Sequence, residues 1–177
     1  MIVGRGRVAQ ALARTNNTGG AVYYANGKCH TANSDRELNE VLEYWNGHVV
    51  YFSSVTSSRE LYLRHKRNVE DHVLAAGGIV FRLTNPIAPI TDESATGTSW
   101  RRSNPGNVGY LDSCITWTAF DRKSSPFELY IDRNPIINLV DIDDVAKIVT
   151  DMVPKLDAGS LVEIVGPETT PLHLLVQ

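Results

Sequence analysis

Residues 49–83 read VVYFSSVTSSRELYLRHKRNVEDHVLAAGGIVFRL, and this stretch decides the fold. It begins with a short apolar run, Val49–Ser54, continues through a polar segment that ends at Gly77 and Gly78, and returns to a second apolar run, Ile79–Leu83. Short apolar runs bounded by turn residues are typical of buried strands, and glycine often follows the last turn of a helix. The stretch therefore predicts a strand, a helix and a second strand.

Within the predicted helix, Tyr62 and Lys66 are four residues apart and so lie on one face. A neighbouring ammonium group brings the high pKa of a tyrosine hydroxyl toward neutrality, which suits the hydroxyl to proton transfer at a hydroxyl or carbonyl centre. The alternative is a solvated pair on a surface helix. The flanking strands favour the chemical interpretation.

Alternation of apolar runs and helical segments continues along the chain. The predicted strands lie near residues 1–4, 20–25, 48–54, 79–84, 128–131, 136–139 and 161–165. The predicted helices lie near residues 7–15, 34–46, 59–76, 108–120 and 142–154. This order favours one α/β domain over residues 1–177, with a parallel sheet covered by helices on both faces.

A glycine turn follows the first predicted strand in the pattern Gly4-x-Gly6-x-x-Ala9. Such a turn directs backbone N–H groups and the positive end of the next helix at a phosphate group. Arg5 and Arg7 add positive charge to the turn. The pattern favours phosphate binding, and its alternative is an ordinary connection between strand and helix.

Composition excludes several classes of function. With 42% hydrophobic residues, 21% charged residues and a net charge of −3, the chain can bury a core and shows no sustained basic patch for nucleic acid. No apolar run reaches the length that crosses a bilayer, and no signal peptide is evident. The two cysteines and five histidines lack the spacing of metal ligands. We expect a cytoplasmic protein without a metal, nucleic-acid or membrane partner.

Several pieces together resemble the extended short-chain dehydrogenase/reductase superfamily, in particular its NAD-dependent epimerases and dehydratases of nucleotide sugars. Residues 1–9 are similar to a phosphate loop, 22–27 to a strand with a small-residue turn and 49–54 to a serine-bearing strand. Residues 62–66 are similar to the tyrosine and lysine, 79–86 to an arginine-bearing strand and 137–146 to the start of a late helix. The resemblance implies a Rossmann-like fold.

The resemblance also implies roles for the residues. Tyr62 would be the acid or base, Lys66 would lower its pKa and bind the ribose of NAD or NADP, and Ser54 would hydrogen-bond the reacting oxygen. Only seven residues separate Ser54 from Tyr62, a shorter connection than the family has. The implied cofactor-binding residues are Gly4, Gly6, Arg7, Ala25, Gly27 and Lys66.

Substrate contacts are implied for Arg82, Asn85, Trp100 and Arg101. For Arg82 the alternative is a buried salt bridge beneath the site. Trp100 and Arg101 belong to a segment, residues 86–110, that is rich in Thr, Ser, Pro, Asn and Gly. A long stretch without periodicity is either a functional loop that faces the substrate or a mobile surface loop.

The chain resembles a shortened form of the family. After the helix near residues 7–14, the strand near residues 21–25 is similar to the family's fourth strand, so the second and third strands are missing. The acidic residue that commonly contacts the adenosine ribose is absent from residues 26–29. Loss of these strands would leave the first strand at a sheet edge, which favours pairing of identical copies into a homo-oligomer.

Three functions follow. The first is a minimal NAD(P)-dependent oxidoreductase, epimerase or dehydratase that acts on a sugar nucleotide or a similar hydroxylated small molecule. The second is a relative that binds another nucleotide-like ligand in place of nicotinamide. The third is a relative without catalysis that serves in assembly.

Overall fold

The structure is a computed structural model and describes residues 1–15, 19–26, 32–45, 48–55, 61–87, 136–167 and 169–171. The chain divides into two compact units. One comprises Met1–Ala88 and Val140–Gly166, and the other comprises Pro89–Leu139 and Pro167–Gln177. Most of the second unit lies outside the described residues, and the single domain expected over residues 1–177 stays a prediction.

The described strands and helices are numbered in chain order. The strands are β1 (Ile2–Val3), β2 (Val22–Tyr24), β3 (Val49–Ser54), β4 (Ile79–Leu83), β5 (Asn85–Ile87), β6 (Ile136–Asp141), β7 (Leu161–Ile164) and β8 (Thr169–Pro171). The helices are α1 (Arg7–Thr15), α2 (Ala32–Trp45), α3 (Leu61–Ala75) and α4 (Ile142–Met152), with a short 3-10 helix (Val153–Lys155) after α4.

Five strands of the first unit form a parallel sheet in the order β1-β2-β3-β4-β7. The predicted parallel sheet is therefore confirmed, and so is the β-α-β unit of β3, α3 and β4. In this sheet β1 is the outermost strand and pairs directly with β2. That neighbour agrees with the predicted loss of the family's second and third strands.

Helices cover both faces of the sheet, as the sequence predicts. Strand β3 shows this most clearly, because its side chains alternate between the two faces. Val50 and Phe52 pack with α1 and α4, whereas Val49 and Tyr51 pack with α2 and α3. The helical side chains of the first face include Leu12, Ile142, Val145 and Val149, and those of the second include Leu38, Leu42, Val69 and Val73.

Two short strands were not predicted. Strands β5 and β8 are three residues long and contain Pro86 and Pro171, and proline lowers the strand signal of such a short run. Strand β8 pairs antiparallel with β6 in the second unit. The loop expected over residues 86–110 therefore begins inside β5, and its remainder lies outside the described residues. The strand predicted near residues 128–131 and the helix predicted near residues 108–120 also lie outside the described residues.

Packing of α1 against the sheet can be tested at Leu12, which is 1% exposed. We expect Leu12→Ala to lower the free energy of unfolding by about 2–5 kcal/mol, because the substitution removes apolar burial and leaves a cavity. Ile148→Ala on α4 is the matched control, since Ile148 is 38% exposed and should cost less than about 1 kcal/mol. Urea unfolding of both variants measures the difference. Equal losses would contradict the described packing.

Candidate functional site

Because the five strands of the main sheet are parallel, their carboxyl ends lie along one edge. Ligands of open α/β sheets bind at this edge. The residues that follow β1, β2 and β3 are the glycine turn, Ala25–Asn26 and Val55. The structure therefore brings the predicted phosphate turn and the small-residue turn to the edge at which β3 ends.

Gly4 and Ala25 are in close backbone contact. Gly4 has a φ of 130°, and a Cβ atom added to it would lie 2.5 Å from the Ala25 carbonyl oxygen. Only glycine fits such a position without displacement of the backbone. At Gly6 the added Cβ would lie 3.8 Å from the same oxygen, which is an ordinary contact. Gly4 and Gly6, two predicted cofactor-binding residues, thus lie next to Ala25, a third. Gly27, a fourth, lies outside the described residues.

Arg7 is the first residue of α1 and is partly buried. Burial lowers the pKa of its guanidinium to about 10, so the group stays charged at neutral pH. An anion beside it would favour that charge. The position at the start of a helix, where backbone N–H groups point outward, suits a phosphate group.

Lys66 is held against the strand that precedes its helix. Its Nζ atom donates a hydrogen bond to the Phe52 carbonyl oxygen at 3.1 Å and lies 5.9 Å from the centroid of the Tyr51 ring. Tyr62 lies one turn earlier on the same helix, as predicted, and its side chain lies outside the described part of the chain. The ammonium group is thus fixed near the carboxyl end of β3.

The two serines of β3 lie on opposite faces of the sheet. Ser53 pairs in register with Arg82, whose side chain contacts α3, and Ser54 pairs with Leu83, which packs with α1 and α4. Alternation along the strand therefore places Ser53, rather than Ser54, on the face that carries Lys66. The alternation of Val49–Ser54 was the sequence signal for this difference. The catalytic assignment of Ser54 stays a prediction, and Ser53 is its structural alternative.

An ionic network around one buried carboxylate lies on the same face. The carboxylate of Glu70, which is 1% exposed, accepts hydrogen bonds from Arg67 Nη1 at 2.8 and 2.9 Å and from Arg82 Nε and Nη2 at 3.0 and 2.7 Å. Arg82 Nη1 also donates to Glu163 at 3.1 Å, and Arg67 Nη2 donates to the Ser54 carbonyl oxygen at 2.8 Å. The network connects α3 to β3, β4 and β7.

Burial raises the pKa of the Glu70 carboxyl, but the hydrogen bonds from Arg82 and Arg67 outweigh burial, and the pKa lies below its ordinary value. Hydrogen bonding to Glu70 in turn raises the pKa of Arg82. Each nitrogen of the Arg82 guanidinium therefore bonds a carboxylate. The salt bridge that the sequence left open is present, and a substrate contact by Arg82 stays a prediction.

A second carboxylate anchors the turn after β2. Glu37 Oε2 on α2 accepts hydrogen bonds from Tyr24 Oη and Asn26 Nδ2, both at 3.0 Å. These bonds fix the residue directly after Ala25. Neither Glu37 nor Glu70 was predicted as part of the site, because a carboxylate on a helix gives no sequence signal for a partner on a distant strand.

Three predicted substrate contacts have side chains outside the described residues. Asn85 begins β5, and its side chain lies outside the described residues, as do Trp100 and Arg101.

Among the residues that the structure describes, no group of three or more His, Cys, Asp or Glu side chains is placed to hold a metal ion. No helix in the described ranges combines the length and apolar character that crossing a membrane requires. The cytoplasmic location stays a prediction.

No protein-family model matches the chain, and no curated protein matches it. Its fold does match solved structures. Among them are dTDP-glucose 4,6-dehydratase from Bacillus anthracis in complex with NAD (TM-score 0.60, 15% identity), UDP-N-acetylglucosamine 4-epimerase from Bacillus cereus (0.58, 13%) and UDP-glucose 4-epimerase from Thermus thermophilus in complex with NAD (0.58, 14%).

The alignments cover 89%, 93% and 96% of this chain but only 55%, 63% and 63% of those structures. At this identity the similarity shows the fold. The chain has the Rossmann-like fold of NAD-dependent epimerases and dehydratases, in a shortened form. The predicted fold class is confirmed.

The closeness of Gly4 to Ala25 gives a test with an internal control. We expect Gly4→Ala to lower the free energy of unfolding by about 1–3 kcal/mol, because its positive φ and the contact with Ala25 both oppose a side chain. Gly6→Ala should change it by less than about 1 kcal/mol, since the added atom meets an ordinary contact. Guanidinium unfolding measures both. Equal tolerance of the two substitutions would contradict the described turn.

The buried carboxylate gives a pH-dependent prediction. We expect Glu70→Gln to lower the free energy of unfolding at pH 7 by about 3–5 kcal/mol, because two arginines lose their charged partner. Since the folded pKa of Glu70 is lowered, its contribution is present above the ordinary value of 4.5 and is lost as the pH falls below it.

The loss caused by Glu70→Gln should therefore shrink as acid is added below that value. Glu40→Gln is the control, because its side chain is 71% exposed and pairs weakly with Arg36. Urea unfolding at several pH values checks both variants. A loss at Glu70 that does not change with pH would contradict the charged network.

Proposed function

We propose that this chain is an NAD(P)-dependent enzyme of the epimerase, dehydratase or reductase class that acts on a sugar nucleotide or a similar hydroxylated small molecule. The observation that carries the proposal is the position of the glycine turn. It contacts Ala25 at the same sheet edge at which β3 ends beside Lys66. Structures with this fold that contain NAD support the same conclusion.

The described residues fit the pyrophosphate of a dinucleotide. Among the described residues, the Ala25 carbonyl oxygen at 3.8 Å is the only atom within 4 Å of a Cβ added to Gly6, so these residues leave the backbone open to a phosphate. The start of α1 offers N–H groups, and Arg7 supplies a positive charge. When bound, the nicotinamide would accept or donate the hydride. Gly4, Gly6, Arg7, Ala25, Gly27 and Lys66 are the proposed cofactor contacts.

The protein's own contribution is proton transfer and position. Tyr62 would hold or release the proton at its hydroxyl, and the ammonium of Lys66 would favour the phenolate form. Hydrogen bonding of Lys66 to the Phe52 carbonyl fixes where that charge lies. A serine of β3, Ser54 or Ser53, would donate a hydrogen bond to the reacting oxygen. Asn85, Arg82, Trp100 and Arg101 stay the proposed substrate contacts.

One observation favours a second function. In the described sheet β1 is outermost, so the strand that commonly carries the ribose-binding acid has no counterpart beside it. The second candidate is therefore a relative that binds another nucleotide-like ligand in place of nicotinamide, or one that serves in assembly. The same edge favours association of identical copies.

Cofactor titration separates the two functions. We expect NADH or NADPH to bind with a dissociation constant in the range of about 1 µM to 1 mM, as nucleotide substrates of enzymes commonly do. Cofactor fluorescence or calorimetry measures this constant.

Arg7→Gln should weaken cofactor binding about tenfold, because the substitution removes a charge beside the phosphates. Arg36→Gln is the matched control, since the Arg36 side chain is 75% exposed.

Absence of binding of either cofactor up to millimolar concentration would contradict the proposal. A thermal shift with a nucleotide panel would then identify a ligand of the second candidate, because a ligand that binds the folded state raises Tm.

A catalytic variant tests the proposed chemistry itself. We expect Tyr62→Phe to lower turnover by about 10²–10⁴-fold, because the hydroxyl that transfers the proton is removed, while cofactor affinity is retained. Single-turnover oxidation or reduction of the cofactor with a panel of nucleotide sugars measures the effect. Equal turnover by wild type and variant would remove Tyr62 from the mechanism.

A further inference from the structure

Arg67 makes two kinds of contact with one guanidinium group. Its Nη1 atom donates to both carboxylate oxygens of Glu70, at 2.8 and 2.9 Å. Its Nη2 atom donates to the carbonyl oxygens of Ser54 and Val55, at 2.8 and 3.3 Å. One side chain of α3 thus joins a buried carboxylate to the backbone at the carboxyl end of β3.

The two carbonyl groups lie where β3 leaves the sheet. Ser54 is the last residue of the strand, and the Val55 amide still donates to the Leu83 carbonyl at 2.9 Å. The side chains of β3 are all buried from Val49 to Ser53, and Ser53 and Ser54 are the serines of the candidate site. Arg67 therefore bonds the backbone of Ser54, a serine of the site, and of the residue that follows it.

Glu70 determines where Arg67 can lie. The carboxylate is buried, and its Oε2 atom also accepts two hydrogen bonds from Arg82, which is itself bonded to Glu163 on β7. A carboxylate held in this way is a fixed point, and the planar guanidinium transfers that position to the carbonyl groups. A lysine at position 67 would keep the charge, but its single nitrogen could not span both sets of acceptors.

We propose that Arg67 is a positioning residue, which fixes the carboxyl end of β3 and thereby the serine pair Ser53–Ser54 relative to α3. The inference rests on the proposed function for its catalytic consequence. Its structural part concerns only the contact between Arg67 and the strand end, and it can be measured without a substrate.

Amide hydrogen exchange tests the structural part. In Arg67→Lys and Arg67→Gln we expect exchange at the Val55 amide to accelerate about tenfold or more beyond any acceleration at the Tyr51 amide, which lies in the middle of β3 and reports the stability of the whole fold. Arg36→Lys and Arg36→Gln on α2 are the matched controls, because that side chain is 75% exposed. An unchanged rate at Val55 overturns the inference. Equal acceleration at Val55 and Tyr51 also overturns it, since Arg67 would then only stabilise the fold.

Kinetics test the catalytic part. We expect Arg67→Lys to lower kcat by about 10²-fold, because a small displacement of a reacting group has that effect, with the NADH dissociation constant and KM within about twofold of wild type. Faster exchange at Val55 with unchanged kcat overturns the catalytic role. Failure of wild type to bind NADH or NADPH defeats the proposed function instead, and the exchange rates still decide the contact.

Discussion

The arrangement of this chain depends on the buried charge of Glu70. An isolated carboxylate in an apolar interior is strongly unfavourable, so its burial requires partners that are also fixed. Arg67 and Arg82 supply them, from the same helix and from the neighbouring strand β4. Because Glu163 on β7 bonds Arg82 as well, one network sets the position of α3 across three strands.

Periodicity carried most of what the sequence could predict. Apolar runs and helical segments alternate along the whole chain, as they do over residues 49–83. These patterns are local, so the parallel sheet and all four described helices could be predicted from them. The short strands β5 and β8 gave too weak a signal, because each contains a proline. The network around Glu70 was predicted only as a possible salt bridge of Arg82, since Arg82 and Glu163 lie on other strands and an arginine three residues from a glutamate on a helix is usually solvated.

The candidate site was predictable in its parts rather than in its geometry. The glycine turn and the Tyr62–Lys66 spacing follow from sequence, but the choice between the two serines required the register of β3 against β4. Because side chains alternate along a strand, Ser53 and Ser54 lie on opposite faces of the sheet. The substrate side could not be predicted because residues 86–110 have no period, and Trp100 and Arg101 stay proposals.

The backbone contact between Gly4 and Ala25 has a mechanical consequence. The two turns touch through main-chain atoms, with no side chain between them to adjust, so neither can shift without the other. A ligand that presses on the first turn also presses on the second. If an extended ligand contacts both turns, the binding free energies of its two halves would therefore be coupled rather than additive.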